Sequence, residues 1–456
     1  MIFLLIFITG FLVVHTLSKE FTLLEKSALA FPIGLGLSSF ALFFFGELFH
    51  AASLNNLTIS LLFIIAICVG VLVYLHKKNI RVFEKPKFSK PDLKWFNLVW
   101  AVFAGMTAYL VWGITMKGLY FPPAEFDTIE GYDLLSKAIA REGVLANSIL
   151  TNKAIVAGCG PRLLYPPLLA FSNSICYMLG MDTPKIINSL FFVSFPFLFY
   201  ALLRRFVGSV SAIFFTFFMV ITPEMFAHGS FALTNYPCAI YTSSAVLSMV
   251  IWYEKRIAGF LPLSALLMAF GLWTRTDVVM VEGALLLASL FILVKEKNAK
   301  PLLFFGAAFG VFVLWNLYSK AVIPKEQTSF FIKHLFWSSE KLGKVFSTAW
   351  GELMSSTQLY GWTFWIFVWA LLVNIPAIIK KDNWFFLSIL FVALGGYTLL
   401  YYQMNDDGTL FTNGGWMLSG YKRGLFVYVP LVLAYAALSK NVNWVFSRIQ
   451  NALTFE

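Results

Sequence analysis

Four short stretches of this chain carry acids, bases and aromatic residues at spacings that could do chemistry. The first, FPPAEFDTIEGYDLLSKAIAREG, sets Asp127 at the head of a segment with helical periodicity, with Glu125 two residues before it. A carboxylate held there can take a proton from a hydroxyl, acting as a general base. It can also simply cap the helix, because Asp followed three residues later by Glu130 is a capping-box-like pattern. The two roles are compatible, since a cap fixes a side chain in place. The second stretch, GCGPRLLYPPLLAF, sets Arg162 and Tyr165 just ahead of Pro166 and Pro167. Prolines fit the first turn of a helix, so the pair open one, and the corner can present Arg162 and Tyr165 to an anionic headgroup. Plain interfacial anchors would look the same. The third, GLWTRTDVVMVEGALLLA, places Arg275, Asp277 and Glu282 between two apolar runs. Charges so placed are usually paired or functional, and an Arg275–Asp277 pair closing a tight turn is the plain reading. In the fourth, NDDGTLFTNGGWMLSGYKRGLFVYVPLVLAY, Lys422 and Arg423 open an apolar run, and Asp406-Asp407-Gly408 read as a turn or as secondary acids.

Metal chemistry is not indicated. The five histidines, His15, His50, His76, His228 and His334, are scattered without ligand-like spacing. Cys68, Cys159, Cys176 and Cys238 form no CxxC or Cys/His cluster, so neither a zinc site nor a disulfide framework is expected. A divalent metal is compatible with the acids but nothing requires a cofactor.

The elements that must position these residues follow from composition. Of 456 residues, 59% are hydrophobic and only 12% charged, with 50 Phe. A soluble domain carries roughly 25% charged residues, so too little polar surface exists to coat a water-soluble globule. The apolar residues come in continuous runs near the length that spans about 30 Å of hydrocarbon as a helix, which also excludes an alternating β-barrel pattern. The expected fold is an all-α polytopic membrane protein of about 13 transmembrane helices, at 2–17, 28–49, 57–75, 96–114, 186–203, 206–222, 235–252, 258–273, 277–294, 301–319, 361–379, 384–402 and 421–438.

The net charge of +11 is read as a topology signal, with no nucleic-acid partner. Lys and Arg cluster in short gaps: seven in 77–94, then Arg204-Arg205, Lys255-Arg256, Lys295/Lys297/Lys300 and Lys380-Lys381. Placing the first gap in the cytoplasm puts all the others there too, as the positive-inside rule requires. This agreement needs 165–180 not to cross, so that stretch is expected as a helix lying on the outer surface or dipping part-way. The segments 115–185, 320–360 and 403–420 then face outward, and long loops usually carry function. Within the first, Ile129, Tyr132, Leu135, Ala138 and Ile139 share a side from Thr128 to Glu142, which reads as an amphipathic surface helix stopped by Gly143. Asp133 falls on its polar side. Organisation is read as an N-terminal transmembrane block with the basic loop (1–95), a core (96–320) and a C-terminal region (321–456). No internal repeat is visible.

In order and spacing, FDTIEGYDLLSKAIAREG, YPPLL, WTRTD opening VVMVEGALLLA, and YKRGLFVYVP resemble the GT-C superfamily of membrane glycosyltransferases across roughly 115–435. Protein mannosyltransferases and aminoarabinose transferases are of this type. The resemblance implies a GT-C-like core and a polyprenyl-phosphate-linked sugar donor. It also implies that the Asp of the first outer loop, here Asp127, is catalytic. Relatives place Lys or His before the Pro pair, where this chain has Tyr165, and Arg162 can compensate. Some also have a second acid after the catalytic Asp, where this chain has Thr128, with Glu125 before instead. The acceptor would be a glycan, lipid or protein, with the lipid bilayer as a further partner and Arg162, Tyr165, Arg275, Lys422 and Arg423 around the donor phosphate. The expected place is a bacterial inner membrane with the site on the periplasmic face. A transporter or flippase of a lipid-linked or anionic solute is the alternative, and a glycan polymerase or ligase outside this superfamily is a third reading.

Overall fold

In hydrocarbon a backbone has no water to bond, so a chain of long apolar runs must satisfy its own amides within helices. The computed structural model describes residues 1–78, 98–159, 163–324, 337–351, 354, 357–404, 421 and 423–452. It is 83% helical, with no strand among the described residues. The helices are α1 (Ile2–Leu17), α2 (Leu23–Phe49), α3 (Leu54–Lys77), α4 (Leu98–Tyr120), α5 (Asp133–Glu142), α6 (Lys153–Cys159), α7 (Leu168–Met178), α8 (Lys185–Leu203), α9 (Ser209–Ile221) and α10 (Pro223–His228). They continue with α11 (Asn235–Lys255), α12 (Phe260–Leu272), α13 (Val279–Glu296), α14 (Lys300–Val322), α15 (Ser339–Trp350), α16 (Thr357–Tyr360), α17 (Thr363–Ile379), α18 (Trp384–Met404), α19 (Tyr428–Leu438) and α20 (Lys440–Ala452). Seven are long and apolar enough to cross a bilayer, or eight if the pair bent by 70° at Ser439 provides one span. The chain is an integral membrane protein. The basic gap between 79 and 95, and most of the loop 403–420, lie outside the described residues.

Burial sorts the helices into a core and a rim. The spanning windows of α2 and α8 are 67% and 72% buried, whereas those of α3, α4 and α14 are 22%, 11% and 17% buried and present their apolar residues outward. At the centre stands α11, in which every residue from Asn235 to Trp252 is buried. Shielded by its neighbours, it can carry Thr242, Ser243, Ser244 and Ser248 without exposing hydroxyls to hydrocarbon. α2 belongs to the same core: Tyr241 Oη donates to Pro32 O at 2.6 Å, and Trp273 Nε1 to Ser39 Oγ at 3.0 Å.

Contacts between helix ends define two faces. On one, Ala52 N donates to Gly143 O (2.8 Å), Glu47 accepts from Leu145 N and Tyr318 Oη (2.8 Å each), and Leu168 N donates to Trp273 O (3.1 Å). On the other, Arg205 pairs with Glu25 (2.5 Å), Arg256 with Glu296 (2.7 Å), and Asn383 Nδ2 donates to Leu438 O (3.0 Å). Each contact joins ends that an alternating path puts on one side.

Two expectations are corrected. Residues 168–178 form a helix of only 11 residues with Leu168 to Cys176 buried without a break, under α5 and against α2, which sets aside the surface placement and leaves the part-way dip. Its polar residues Ser172, Asn173 and Ser174 are buried along with the apolar ones. The segment 128–142 is not one regular helix either. It opens with a π-helical turn, Thr128–Tyr132, before α5. The wider turn changes the angular phase, so Ile129 is 51% exposed while Tyr132, Leu135, Ala138 and Ile139 are buried. Asp133, expected on the polar side, is buried, accepts a hydrogen bond from Tyr177 Oη and pairs with Lys137 at 2.8 Å. Gly143 ends α5 at φ 71°, the left-handed conformation glycine adopts most easily.

Candidate functional site

The site is built around the corner Phe231–Asn235, where the chain turns into α11. Its carbonyls and side chains collect two other segments through three bonds. Thr128 Oγ1 donates to Ala232 O at 3.0 Å, the Tyr132 and Thr234 hydroxyls share a bond of 3.1 Å, and Asn188 of α8 donates Nδ2 to Leu233 O at 3.3 Å. These bonds fix the π-turn, and with it Asp127 immediately before.

Asp127 is already helical (φ −62°, ψ −26°) and makes no capping hydrogen bond. A cap needs extended backbone so that its side chain can fold back on the first turn. The capping reading is therefore set aside at this position. The carboxylate instead reaches across 296 residues of sequence: Oδ2 accepts from Arg423 Nη1 at 2.6 Å. Arg423 sits where the chain enters its last apolar run, directly before Gly424. A Cβ on Gly424 would collide with the Tyr397 hydroxyl, so only glycine lets the backbone approach this closely.

Arg275 lies alongside, and its guanidinium is fully engaged. Nε and Nη2 donate to the Asp277 carboxylate at 3.0 and 2.8 Å, Nη1 faces Asn235 Oδ1 at 3.4 Å, and the guanidinium carbon lies 5.1 Å from the Tyr165 ring centre. The Arg275–Asp277 pair thus closes the turn between α12 and α13 as the plain reading expected. Asn235 bridges the two arginines, since its Nδ2 donates to Arg423 O at 3.4 Å. Tyr165 in turn packs 5.8 Å from Tyr132. Burial, then the neighbouring Tyr165 hydroxyl, pushes the Tyr132 phenol well above its usual range, so it stays protonated. Tyr397, Tyr401 and Tyr421 close the far side, their ring centres 5.0 to 5.5 Å apart, and Tyr397 and Tyr401 feel the Asp277 carboxylate.

Asp127, Tyr165, Arg275, Asp277 and Arg423, far apart in sequence, therefore share one cluster. Arg162, Lys422, Asp406 and Asp407 lie outside the described residues. Glu125 is half-buried, its Oε2 has no hydrogen-bond partner among the described residues, and its charge acts on Lys185, whose Nζ donates to Pro122 O at 3.4 Å. Glu282 is fully buried in α13, and neither carboxylate oxygen has a partner among the described residues. His228, treated as ordinary above, is buried with Nε2 at 3.3 Å from Glu224 and its ring 5.1 Å from Phe426. Among the described residues no three His, Cys, Asp or Glu side chains come together as metal ligands.

Sequence reasoning passed over Asn235, Thr234, Asn188 and the three tyrosines. The available signal was positional: each stands at the end of an apolar run on the same face, where polar side chains must meet one another. Comparison with protein-family models, with characterised proteins and with solved structures gives no match for this chain.

Proposed function

We propose that this protein is a GT-C-like membrane glycosyltransferase that moves a sugar from a polyprenyl-phosphate donor to an acceptor hydroxyl. Asp127 is the base. The acceptor oxygen attacks the anomeric carbon while its proton passes to the Asp127 carboxylate. The bond from that carbon to the phosphate oxygen breaks on the opposite side, inverting the configuration, and the lipid phosphate leaves as an anion. That anion needs positive partners more than it needs a proton. The observation that carries the reading is the juxtaposition of a partly exposed carboxylate, Asp127, with a partly exposed guanidinium, Arg423, on a rigid aromatic floor at one face of the bundle.

In this reading the eight long spans, four of the shorter apolar helices (α1, α9, α12 and α17) and the shielded α11 make the thirteen crossings, with α7 remaining inside. The site lies on the outer face of a bacterial inner membrane. Nucleotide sugars are made in the cytoplasm, so a donor on that face must be carried by a lipid. The decisive experiment incubates membranes holding the protein with a panel of polyprenyl-phosphate sugars and analyses the products by mass spectrometry. Sugar transfer with any of them that is lost in Asp127→Asn supports the reading; no turnover of any donor counts against it.

One observation favours a transporter of an anionic or lipid-linked solute instead. Glu282 is a carboxyl buried within a span without a partner among the described residues, as proton-coupled carriers require. Uptake or flipping of solute without a covalent product, abolished by Glu282→Gln, would move that reading ahead.

A further inference from the structure

Two of the long helices pack side by side without filling the space between them. Small residues at the contact, Ala284 and Ala288 on α13 and Ser388 on α18, leave an apolar groove of about 220 Å³. Its floor is the buried Phe385 and Ile389, and its edge is the exposed Leu287 and Phe291, so it opens sideways toward the bilayer. Ser388 turns its hydroxyl back to Phe385 O at 2.9 Å, which keeps the lining dry.

The two ends of the groove differ. Toward the candidate site the helices close on each other where Met280 meets Gly396. At the opposite end the Phe291 and Trp384 rings meet edge to face, 5.0 Å apart, and Lys295 lies over both, its Nζ 5.4 and 5.8 Å from their centres. The adjoining Glu296 gives its two oxygens to Arg256, at 2.8 and 2.7 Å. Lys297, Lys300, Lys380 and Lys381 stand in or beside the turns flanking this end, with Asp382 the only other acid there.

We infer that this groove binds one anionic phospholipid from the leaflet on the face opposite the candidate site, with an acyl chain between α13 and α18 and the phosphate on Lys295. Length and charge both select this occupant. From Ala284 to Phe291 the groove runs about 10 Å along α13, most of the ~15 Å of hydrocarbon in one leaflet. A chain entering from the interface at Lys295 fills it, whereas a prenyl tail descending from Arg423 meets the closed seam first. The lysine stem lies on the rings while its ammonium reaches headgroup level. Basic pockets between membrane helices hold anionic headgroups in this way. A zwitterionic lipid brings its own cation beside the phosphate, so the basic rim favours net negative charge. The groove floor is also continuous with the centre of the bundle, because Phe385 stacks on Tyr253 of α11 at 3.8 Å. A bound lipid therefore braces α18, the helix that carries Tyr397 and Tyr401 of the cluster.

The test uses the full-length protein, delipidated in detergent and titrated with phosphatidylglycerol or phosphatidylethanolamine of the same acyl chains. Native mass spectrometry counts the bound lipid. One phosphatidylglycerol should bind about fivefold more tightly than phosphatidylethanolamine, the worth of one basic residue at a membrane surface. Lys295→Ala should abolish the preference, and Ala288→Trp, which fills the groove, should abolish binding of that lipid. Lys255→Ala, on the same face beside Phe206, should change neither. Equal affinities for the two lipids overturn the proposal, as does a preference that survives both substitutions at the groove. A dimer that Ala288→Trp dissociates also overturns it, by making a second copy the occupant. Lys295 is exposed, so its variant decides the matter even where Ala288→Trp does not fold.

Discussion

At the residue scale, Asp127 and the two arginines divide into distinct roles that substitution separates. Asp127 makes no cap, so Asp127→Asn removes a proton acceptor without removing a helix start. Transfer should fall by about 10²–10⁴-fold, the usual worth of a general base, with expression unchanged. Asp133 is no control for this, because it is buried against Tyr177. The exposed Asp182 on the same face serves, and Asp182→Asn should turn over normally. Equal activity in Asp127→Asn and wild type would end the catalytic assignment. For the arginines the expected outcomes diverge. Arg275→Ala leaves Asp277 as an unpaired acid in a mostly buried site, and removing one partner of a buried pair costs about 3–5 kcal/mol. It should lower the melting temperature and the yield. Arg423→Ala breaks a half-exposed pair and should fold nearly normally while the KM for donor rises. Melting curves and donor titrations of the two variants should therefore be mirror images; a stable, donor-deficient Arg275→Ala would reverse the roles.

At the element scale, Gly424 and Tyr397 link the last span to α18. Gly424→Ala drives a methyl into the Tyr397 hydroxyl and must push Arg423 away from Asp127. Activity should drop sharply, and adding Tyr397→Ala, which clears the space, should restore part of it. Failure of the second change to help would show that the close approach is not what positions Arg423. The π-turn at Thr128–Tyr132 was not legible from side-chain periodicity, because one extra residue in a turn leaves no compositional trace. Its consequence is visible in Ile129, which the helical pattern assigned to the apolar side and the structure turns outward.

At the scale of the whole molecule, the contacts between helix ends sort the loops onto two faces, and cysteine labelling of intact cells tests which face is outside. In a Cys159→Ser background, the partly exposed native thiol being removed, a cysteine at Lys153 should react with an impermeant maleimide, and one at Lys297 should react only after permeabilisation. The opposite pattern would place the site in the cytoplasm, where a lipid-linked donor has no particular advantage. The sequence by itself determined the class, an all-α membrane protein. Apolar runs of spanning length have one stable fate in a bilayer, which is why a helix stands at each expected run, with close ends at Ile2–Leu17 and Trp384–Met404 and ends shifted by more than a turn at Leu23–Phe49, Leu98–Tyr120 and Tyr428–Leu438. It also determined that Asp127, Tyr165, Arg275 and Arg423 are residues to watch, since charge and aromatic polarity at the ends of apolar runs are costly to keep. Only the tertiary structure decided which of them meet. Pairing between Asp127 and Arg423, the bridge through Asn235 and the burial of α7 depend on how helices distant in sequence pack together. Packing of that kind is set by side-chain shape across helix surfaces, which no local spacing records.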